Sequence, residues 1–193
     1  MMRVLITGGA GFVGSHLAEA LLEQVAGGGG LLLQPLEKGG AGTGPSPVDR
    51  GKAGTKRLVL VDGHGTPLAL TLAPANRHDA VELPAVLDAV PPVRGRPGRP
   101  RRRPDKLHAD KGFDHRRCRD DCRRHGIRPR IARRGIERSD RLGRHRWVAE
   151  RTLAWFGGFR RLVTRHERRE DIHLGLNKLA MCVITYRQWK RLC

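Results

Sequence analysis

The sequence predicts one strand and one helix at the start of the chain. The segment that follows them does not have the pattern of a second strand and helix, as a larger nucleotide-binding fold would require. Residues 3–7 form an apolar run, and a helical apolar pattern follows the glycines that come next. In a dinucleotide-binding fold, a second strand ending in Asp or Glu should follow about 20 residues further on. Four consecutive glycines at 27–30 and Pro35 stand there instead. We therefore predict an isolated βα fragment and a glycine-rich linker over residues 1–35.

The turn glycines are Gly8, Gly11 and Gly14, spaced so that the backbone could approach a pyrophosphate at a helix N-terminus. This start resembles an extended short-chain dehydrogenase of the sugar-nucleotide epimerase type, which implies NAD binding at these glycines. That family's Tyr-x-x-x-Lys has a match at Tyr186 and Lys190, but the match lies in the last eight residues. Because half a Rossmann fold cannot bury its sheet, we expect NAD not to bind.

The charge is divided unevenly along the chain. The whole protein has a net charge of +19, yet residues 1–47 hold two basic and three acidic residues, so the excess lies in the other 146 residues. A basic excess of this size indicates a polyanionic partner, for which nucleic acid is the first hypothesis.

Two classes of protein are excluded by the same sequence. No apolar run reaches the roughly 18–20 residues that a membrane span needs, so we expect no membrane partner. Four cysteines do not make a disulfide framework. We expect a reduced protein in the cytoplasm, associated with the nucleoid.

The main domain begins after a linker-like stretch, residues 36–55, and alternates short strands with helices. We predict a mixed-sheet α/β fold. The predicted strands cover 57–61, 67–72, 106–109 and 127–132. The predicted helices cover 79–90, 114–125, 144–156 and 171–190.

Two carboxylates are the candidates for chemistry. Asp110 follows a short strand, where sites of α/β sheets gather. Glu150 lies mid-helix, one turn after Arg146. Such a carboxylate can form an ion pair with a nearby arginine. It can also be a ligand of a divalent metal, since Mg²⁺ prefers a few carboxylates together with water.

Several motifs in order make the main domain recognisable. From about Leu36 to the C-terminus the chain resembles an insertion-sequence transposase of the DDE type. The matching segments are residues 42–56, 108–112, 129–136, 143–152 and 168–173. The resemblance implies an RNase H-like mixed sheet with flanking helices, and Mg²⁺-dependent cleavage and joining of DNA at transposon ends. It makes Asp110 the second and Glu150 the third acidic residue of the catalytic triad, both as metal ligands.

The first acidic residue of that triad is not found. It should lie on a strand upstream of the Gly/Pro-rich stretch, but no Asp precedes Asp49, and Glu37, Asp49 and Asp62 lie in loop or turn sequence. We therefore predict a transposase domain over 36–193 that lacks its first strand, fused to the unrelated fragment 1–35. Because one of three carboxylates is absent, we expect it to be inactive or nearly so.

Basic side chains should hold the DNA by its phosphates, with little sequence preference. The residues that we expect to do so are Lys111, Arg101, Arg102, Arg103, Arg146, Arg151, Arg160 and Arg161. We leave homo-oligomerisation open. We also expect Trp147 and Trp155 to belong to the core rather than to stack on bases.

Two alternatives remain beside the transposase. One is an NAD-dependent epimerase fragment, and the other is a non-catalytic basic nucleic-acid binder.

A zinc site is a separate hypothesis, since His115, Cys118, Cys122 and His125 share one face of a predicted helix. Four ligands on one straight helix cannot surround a zinc ion tetrahedrally, so we expect no zinc.

Overall fold

A computed structural model describes residues 25–28, 33–35, 40–47, 50–92, 100, 102–136 and 139–191. The strands are β1 (Val25–Gly28), β2 (Leu33–Pro35), β3 (Gly44–Pro45), β4 (Ala53–Asp62), β5 (Pro67–Pro74), β6 (Lys106–Ala109) and β7 (Arg128–Ile131). The helices are α1 (Asp79–Asp88), α2 (Arg116–Arg124), α3 (Ser139–Gly157), α4 (Arg160–Val163) and α5 (Glu170–Lys190), with a 3-10 turn at Lys111–Phe113. This is a mixed α/β fold, as predicted.

The seven strands form one sheet whose centre is β1. On one side β1 pairs with β4 in antiparallel fashion, and on the other it pairs with β6 in parallel. β7 continues the sheet in parallel with β6, and β5 pairs with β4 to complete a hairpin. β2 and β3 also pair with β4. The sheet therefore joins an antiparallel half to a parallel half along β1.

β1 corrects the sequence interpretation. The segment with four glycines was predicted to be a linker, and the main domain was predicted to lack its first strand. Instead, Val25–Gly28 lies between β4 and β6, and Leu33–Pro35 pairs with β4. Glycine has a low intrinsic preference for strands, and here pairing on both sides overrides that preference. The strand predicted at residues 3–7 lies outside the described residues.

The hairpin of β4 and β5 was predicted and is confirmed, and its turn is closed by Asp62. The Oδ1 atom of Asp62 accepts hydrogen bonds from the backbone N–H groups of His64 (2.9 Å) and Thr66 (2.7 Å). Gly65 has φ of +90°, a conformation that suits glycine. The Asp-Gly-His-Gly sequence therefore fixes the turn through one side chain and one glycine.

Apolar side chains cover both faces of the sheet, because residues of β4 alternate between the two. Leu58 and Leu60 belong to a cluster with α1 and α2. Val59 and Val61 belong to a second cluster with α3 and α5. We call these the α1/α2 face and the α3/α5 face. The fold is a sheet between two layers of helices, which buries β4 on both sides.

α2 and β7 are joined by a tight helix end. Gly126 has φ of +70°, its N–H donates to the carbonyl of Arg123, and the N–H of Ile127 donates to the carbonyl of Cys122. This double hydrogen bond is the Schellman arrangement that a glycine after a helix permits. It directs the chain straight into β7, so the predicted helix and strand are both confirmed with slightly shorter bounds.

The buried face of α5 was predicted in part. The residues that the sequence indicated as core are Ile172, Leu174, Leu176, Leu179, Ala180, Val183 and Ile184. Ala180 and Ile184 are buried as predicted, whereas Ile172 is 47% and Leu179 60% exposed. His173 and Asn177 are buried as well, and an apolar pattern could not indicate them because they are polar. Trp147, predicted to be core, is 49% exposed.

A buried arginine ties the start of α5 to the sheet. Arg165 is fully buried, and its guanidinium donates to Thr55 Oγ1 (2.6 Å), to the Ala41 carbonyl (2.8 Å) and to the Glu167 carbonyl (2.9 Å). Arg57, two residues after Thr55 on β4, is also buried and donates to the carbonyl of Leu162, and burial lowers the pKa of Arg57 to about 10. Neither arginine was predicted to have a role, because charged residues are almost never fully buried.

Candidate active site

Asp110 lies directly after β6, at the carboxyl end of the parallel half of the sheet. Its backbone is extended (φ −74°, ψ 178°), and its Oδ1 accepts a hydrogen bond from the N–H of Gly112 at 2.8 Å. A Cβ atom at position 112 would lie 2.9 Å from that oxygen, so a larger residue there would displace the carboxylate. Asp110 thus caps the turn Lys111–Phe113, and its half-buried carboxylate is held in one orientation.

Asp110 faces the α3/α5 side of the sheet. Leu107 and Ala109 belong to the cluster of the α1/α2 face, and successive side chains of an extended strand point to opposite faces. Lys106, His108 and Asp110 therefore share the other face.

Glu150 lies on α3, the helix that packs on β1 and β4 from that same side. Val148, Ala149 and Leu153 of α3 are buried against the sheet, whereas Glu150 itself is exposed. The two predicted carboxylates therefore belong to elements that both adjoin β1. Glu150 lies on the solvent side of its helix.

The strand between them carries no carboxylate. Gly27 of β1 is paired with Ala109, so Gly28 is the residue level with Asp110. Gly28 is also paired with Val59, which belongs to the α3/α5 cluster, and paired residues of a sheet point to the same face. A side chain at position 28 would consequently lie beside Asp110, at the strand spacing of about 4.8 Å.

Asp62 does not replace the missing carboxylate. It ends β4 and is paired with Val25, which is itself paired with Leu107, so Asp62 is level with the start of β6 rather than with Asp110. It also points to the α1/α2 face, and burial raises its pKa although two backbone N–H groups bond to it. Glu37 and Asp49, the other two candidates, lie outside the described residues.

Arg151 and Thr152 attach α3 to the hairpin turn. The Thr152 hydroxyl donates to the carbonyl of Gly65 at 2.6 Å, and the Arg151 guanidinium donates to the carbonyl of His64. The same guanidinium lies over the rings of Trp147 (4.3 Å to the centroid) and Trp155 (4.9 Å). Arg151 was predicted to bind DNA, and it is used in positioning the helix that carries Glu150.

The other residues predicted to bind DNA are spread over the surface. Arg102, Arg103 and Arg160 are exposed, Lys111 is half-buried beside Asp110, and the exposed Arg161 donates to Glu167 (3.2 Å). Arg101 and the glycines at 8, 11 and 14 lie outside the described residues, and so does the side chain of Arg146. Of the described residues in this set, Lys111 and Arg151 lie next to the predicted carboxylates, Asp110 and Glu150, because they follow them in the sequence.

The four residues weighed as zinc ligands do not converge. Cys118 and Cys122 are fully buried under α1, and burial raises the pKa of Cys122 to about 11. His125 instead faces Asp88 (Nε2 to Oδ1, 3.0 Å) and His115 lies against the ring of His78. Within the described ranges, no group of three or more His, Cys, Asp or Glu side chains could hold a metal. With no third carboxylate from the described residues on the same face, Asp110 and Glu150 do not fit a two-metal site.

No helix in the described part of the chain is long and apolar enough to cross a membrane.

Comparison with known proteins assigns this chain to a family. Residues 34–185 match the family described as the transposase DDE domain, so the chain belongs to this family. Members of the family typically use a divalent metal ion.

A curated relative indicates the kind of transposase. The chain is 46% identical over 137 residues to a protein described as a putative transposase for insertion sequence element IS402 of Burkholderia cepacia. The match covers 71% of this chain and 65% of the relative, so slightly less than two thirds of the relative is represented. The predicted resemblance to an insertion-sequence transposase is confirmed. The dehydrogenase-like start has no such support and stays a prediction.

Proposed function

We propose that this protein is a DNA-binding transposase domain that is inactive, or nearly so, in cleaving and joining the ends of an insertion sequence. Its partner is the DNA of transposon ends. Asp110 and Glu150 are the second and third carboxylates of the site. The observation that carries the proposal is the glycine at position 28, on the strand next to Asp110.

The order of the strands supports an RNase H-like arrangement. An antiparallel hairpin precedes two parallel strands, and the central strand β1 lies between the two halves. Asp110 and α3 adjoin this strand from one side, as a site shared by three carboxylates requires. The catalytic domain that we propose therefore takes in β1 and β2 as well as residues 36–193.

The residues present explain why catalysis should fail. Two ions roughly 3.5–4 Å apart activate the attacking oxygen and stabilise the leaving one in such strand transfer. Mg²⁺ needs near-octahedral oxygen ligands and is held by carboxylates that the protein places around it. Here Oδ1 of Asp110 is occupied by Gly112, and Gly28 offers no oxygen from its side chain. We therefore derive no chemical step at this site.

The cleavage assay tests the proposal. The purified chain and its Asp110→Asn variant are incubated with labelled transposon-end duplex and Mg²⁺ or Mn²⁺. We expect both to bind the duplex and neither to nick it. Nicking by the unsubstituted chain that Asp110→Asn abolishes would refute the loss of activity. No binding by either protein would refute the DNA partner.

A non-catalytic nucleic-acid binder is the second candidate, favoured by the basic excess in residues 48–193. It differs in what the carboxylates do. If Asp110 is a remnant of a metal site, Gly28→Asp should gain an effect of Mn²⁺ on DNA binding, and Gly28→Asp/Asp110→Asn should lack it. A plain binder should show no effect of Mn²⁺ in either variant.

A further inference from the structure

A basic surface lies on β6 and β7, on the side of the sheet that also presents Asp110. Lys106 is paired with Arg128, and His108 with Arg130. Because Leu107, Ala109 and Ile131 point into the α1/α2 cluster, the side chains of Lys106, His108, Arg128 and Arg130 point to the other face. We call these four residues the β6–β7 basic face.

This face is open to solvent. Arg128 and Arg130 are exposed, and Lys106 and His108 are half-buried. The apolar cluster under α3 and α5 takes no side chain from β6 or β7 among the described residues. α3 packs on β1 and β4, the neighbouring strands. In the described part of the chain, the helix layer therefore ends beside the basic face.

Three side chains of this face carry charge that is unpaired among the described residues. In the part of the chain that the structure describes, the side chains of Lys106, Arg128 and Arg130 have no ion-pair partner, and β6 and β7 contain no acidic residue. The exposed arginines of α2 are different, since Arg116 and Arg123 both pair with Asp120. Charge on the basic face is thus available to an external anion.

The face also leads to the site. Lys106, His108 and Asp110 follow one another along the same side of β6 at intervals of two residues, and α3 with Glu150 borders the adjoining strands. A polyanion lying on β6 and β7 would therefore reach Asp110 at the carboxyl end of the strands.

We propose that the β6–β7 basic face binds the phosphodiester backbone of duplex DNA and directs it to Asp110. The inference rests on the proposed function, because it takes DNA as the partner and adds the surface that holds it. The contacts are to phosphates, so they position the duplex without reading its sequence. Arginines on an edge strand can instead serve only to prevent sheets from joining edge to edge, and the experiment separates these two roles.

The test compares two double variants of equal charge. Arg128→Gln/Arg130→Gln removes two cations from the basic face, and Arg116→Gln/Arg123→Gln removes two exposed cations from α2, on the opposite face. Anisotropy of a labelled duplex of scrambled sequence gives the binding constant of the full chain between about 50 and 200 mM salt. Circular dichroism checks that each variant is folded.

Each phosphate contact contributes a slope of about −0.9 to the plot of log K against log salt. The variant of the basic face should therefore lose about 1.8 from the slope and bind more weakly, while the α2 variant should keep the slope of the unsubstituted chain. The single variant Lys106→Gln should lose about 0.9, and Arg128→Lys/Arg130→Lys should retain the slope.

Equal changes in the two double variants would show diffuse attraction and overturn the inference. An unchanged slope in the variant of the basic face would show that its arginines serve the edge only. If the unsubstituted chain binds no duplex, the proposed function fails and this inference fails with it. Binding by that chain together with either of the first two results refutes the basic face alone.

Discussion

Asp110 stands next to Gly28 at the ends of two parallel strands, because Gly27 is paired with Ala109 one residue earlier in each strand. On the function proposed above, Asp110 and Glu150 are the second and third carboxylates of the site, and the first would belong to the strand that β1 represents. Position 28 has only the hydrogen atom of a glycine where that carboxylate would be.

The contact between α3 and the hairpin turn should stabilise the fold measurably. Thr152→Val keeps the shape of the side chain but removes the hydroxyl that donates to the Gly65 carbonyl at 2.6 Å. An unsatisfied buried acceptor costs about 1–3 kcal/mol, and urea unfolding should show a loss of that size. Thr152→Ser keeps the hydroxyl and should cost less than Thr152→Val. Equal losses in the two variants would mean that the hydrogen bond contributes nothing.

The buried Arg165 should be indispensable. Arg165→Lys cannot reproduce the planar fork that reaches Thr55, the Ala41 carbonyl and the Glu167 carbonyl. With several buried acceptors left without a donor, we expect the free energy of unfolding to fall by roughly 3 kcal/mol in urea titrations. The control is Arg168→Lys, at an exposed position three residues away. A variant Arg165→Lys as stable as the control contradicts the assigned role.

Stability should fall as the solution becomes acidic, through His173. Burial lowers the pKa of His173, an effect larger than that of the Glu167 carboxylate, which raises it. Burial raises the pKa of Glu167, but hydrogen bonds from Arg161 and His173 leave it below its usual value. The unfolded chain therefore binds a proton at His173 first, below about pH 6.5, and at Glu167 below about pH 4.3.

The measurement is the free energy of unfolding between pH 8 and 5. It should be level above about pH 6.5 and decline below it. His173→Gln removes this titration and should flatten the curve between about pH 6.5 and 5, whereas His166→Gln, at an exposed position, should not. The role of His173 is excluded if its variant follows the unsubstituted curve over that range.

Local patterns in the sequence were sufficient for most elements of the main domain. The hairpin, β6, β7 and four of the helices follow from apolar periodicity and turn residues, and the structure confirms them within a few residues. On α5, Ala180 and Ile184 were predicted as core, but the buried His173 and Asn177 were missed because they are polar. His173 contacts Glu167, which lies outside the helix.

The two carboxylates of the candidate site were predicted from the sequence, but the strand beside them was not. Asp110 and Glu150 came from motifs, yet β1 was missed, since a run of glycines carries no strand signal and only pairing with β4 and β6 makes it a strand. Arg151 lies between Trp147 and Trp155 through helical spacing, but its hydrogen bond to the His64 carbonyl joins residues far apart in the sequence. Contacts between distant parts of the chain decide both cases.

The most direct test of the incomplete site is Mn²⁺ binding after a carboxylate is restored beside Asp110. We expect Mn²⁺ to leave the thermal stability of the unsubstituted chain unchanged and to stabilise Gly28→Asp by about 1.4 kcal/mol at a tenfold excess over Kd. In Gly28→Asp/Asp110→Asn the stabilisation should be lost. A stabilisation by Mn²⁺ in the unsubstituted chain as large as in Gly28→Asp, or none in Gly28→Asp, would contradict the account.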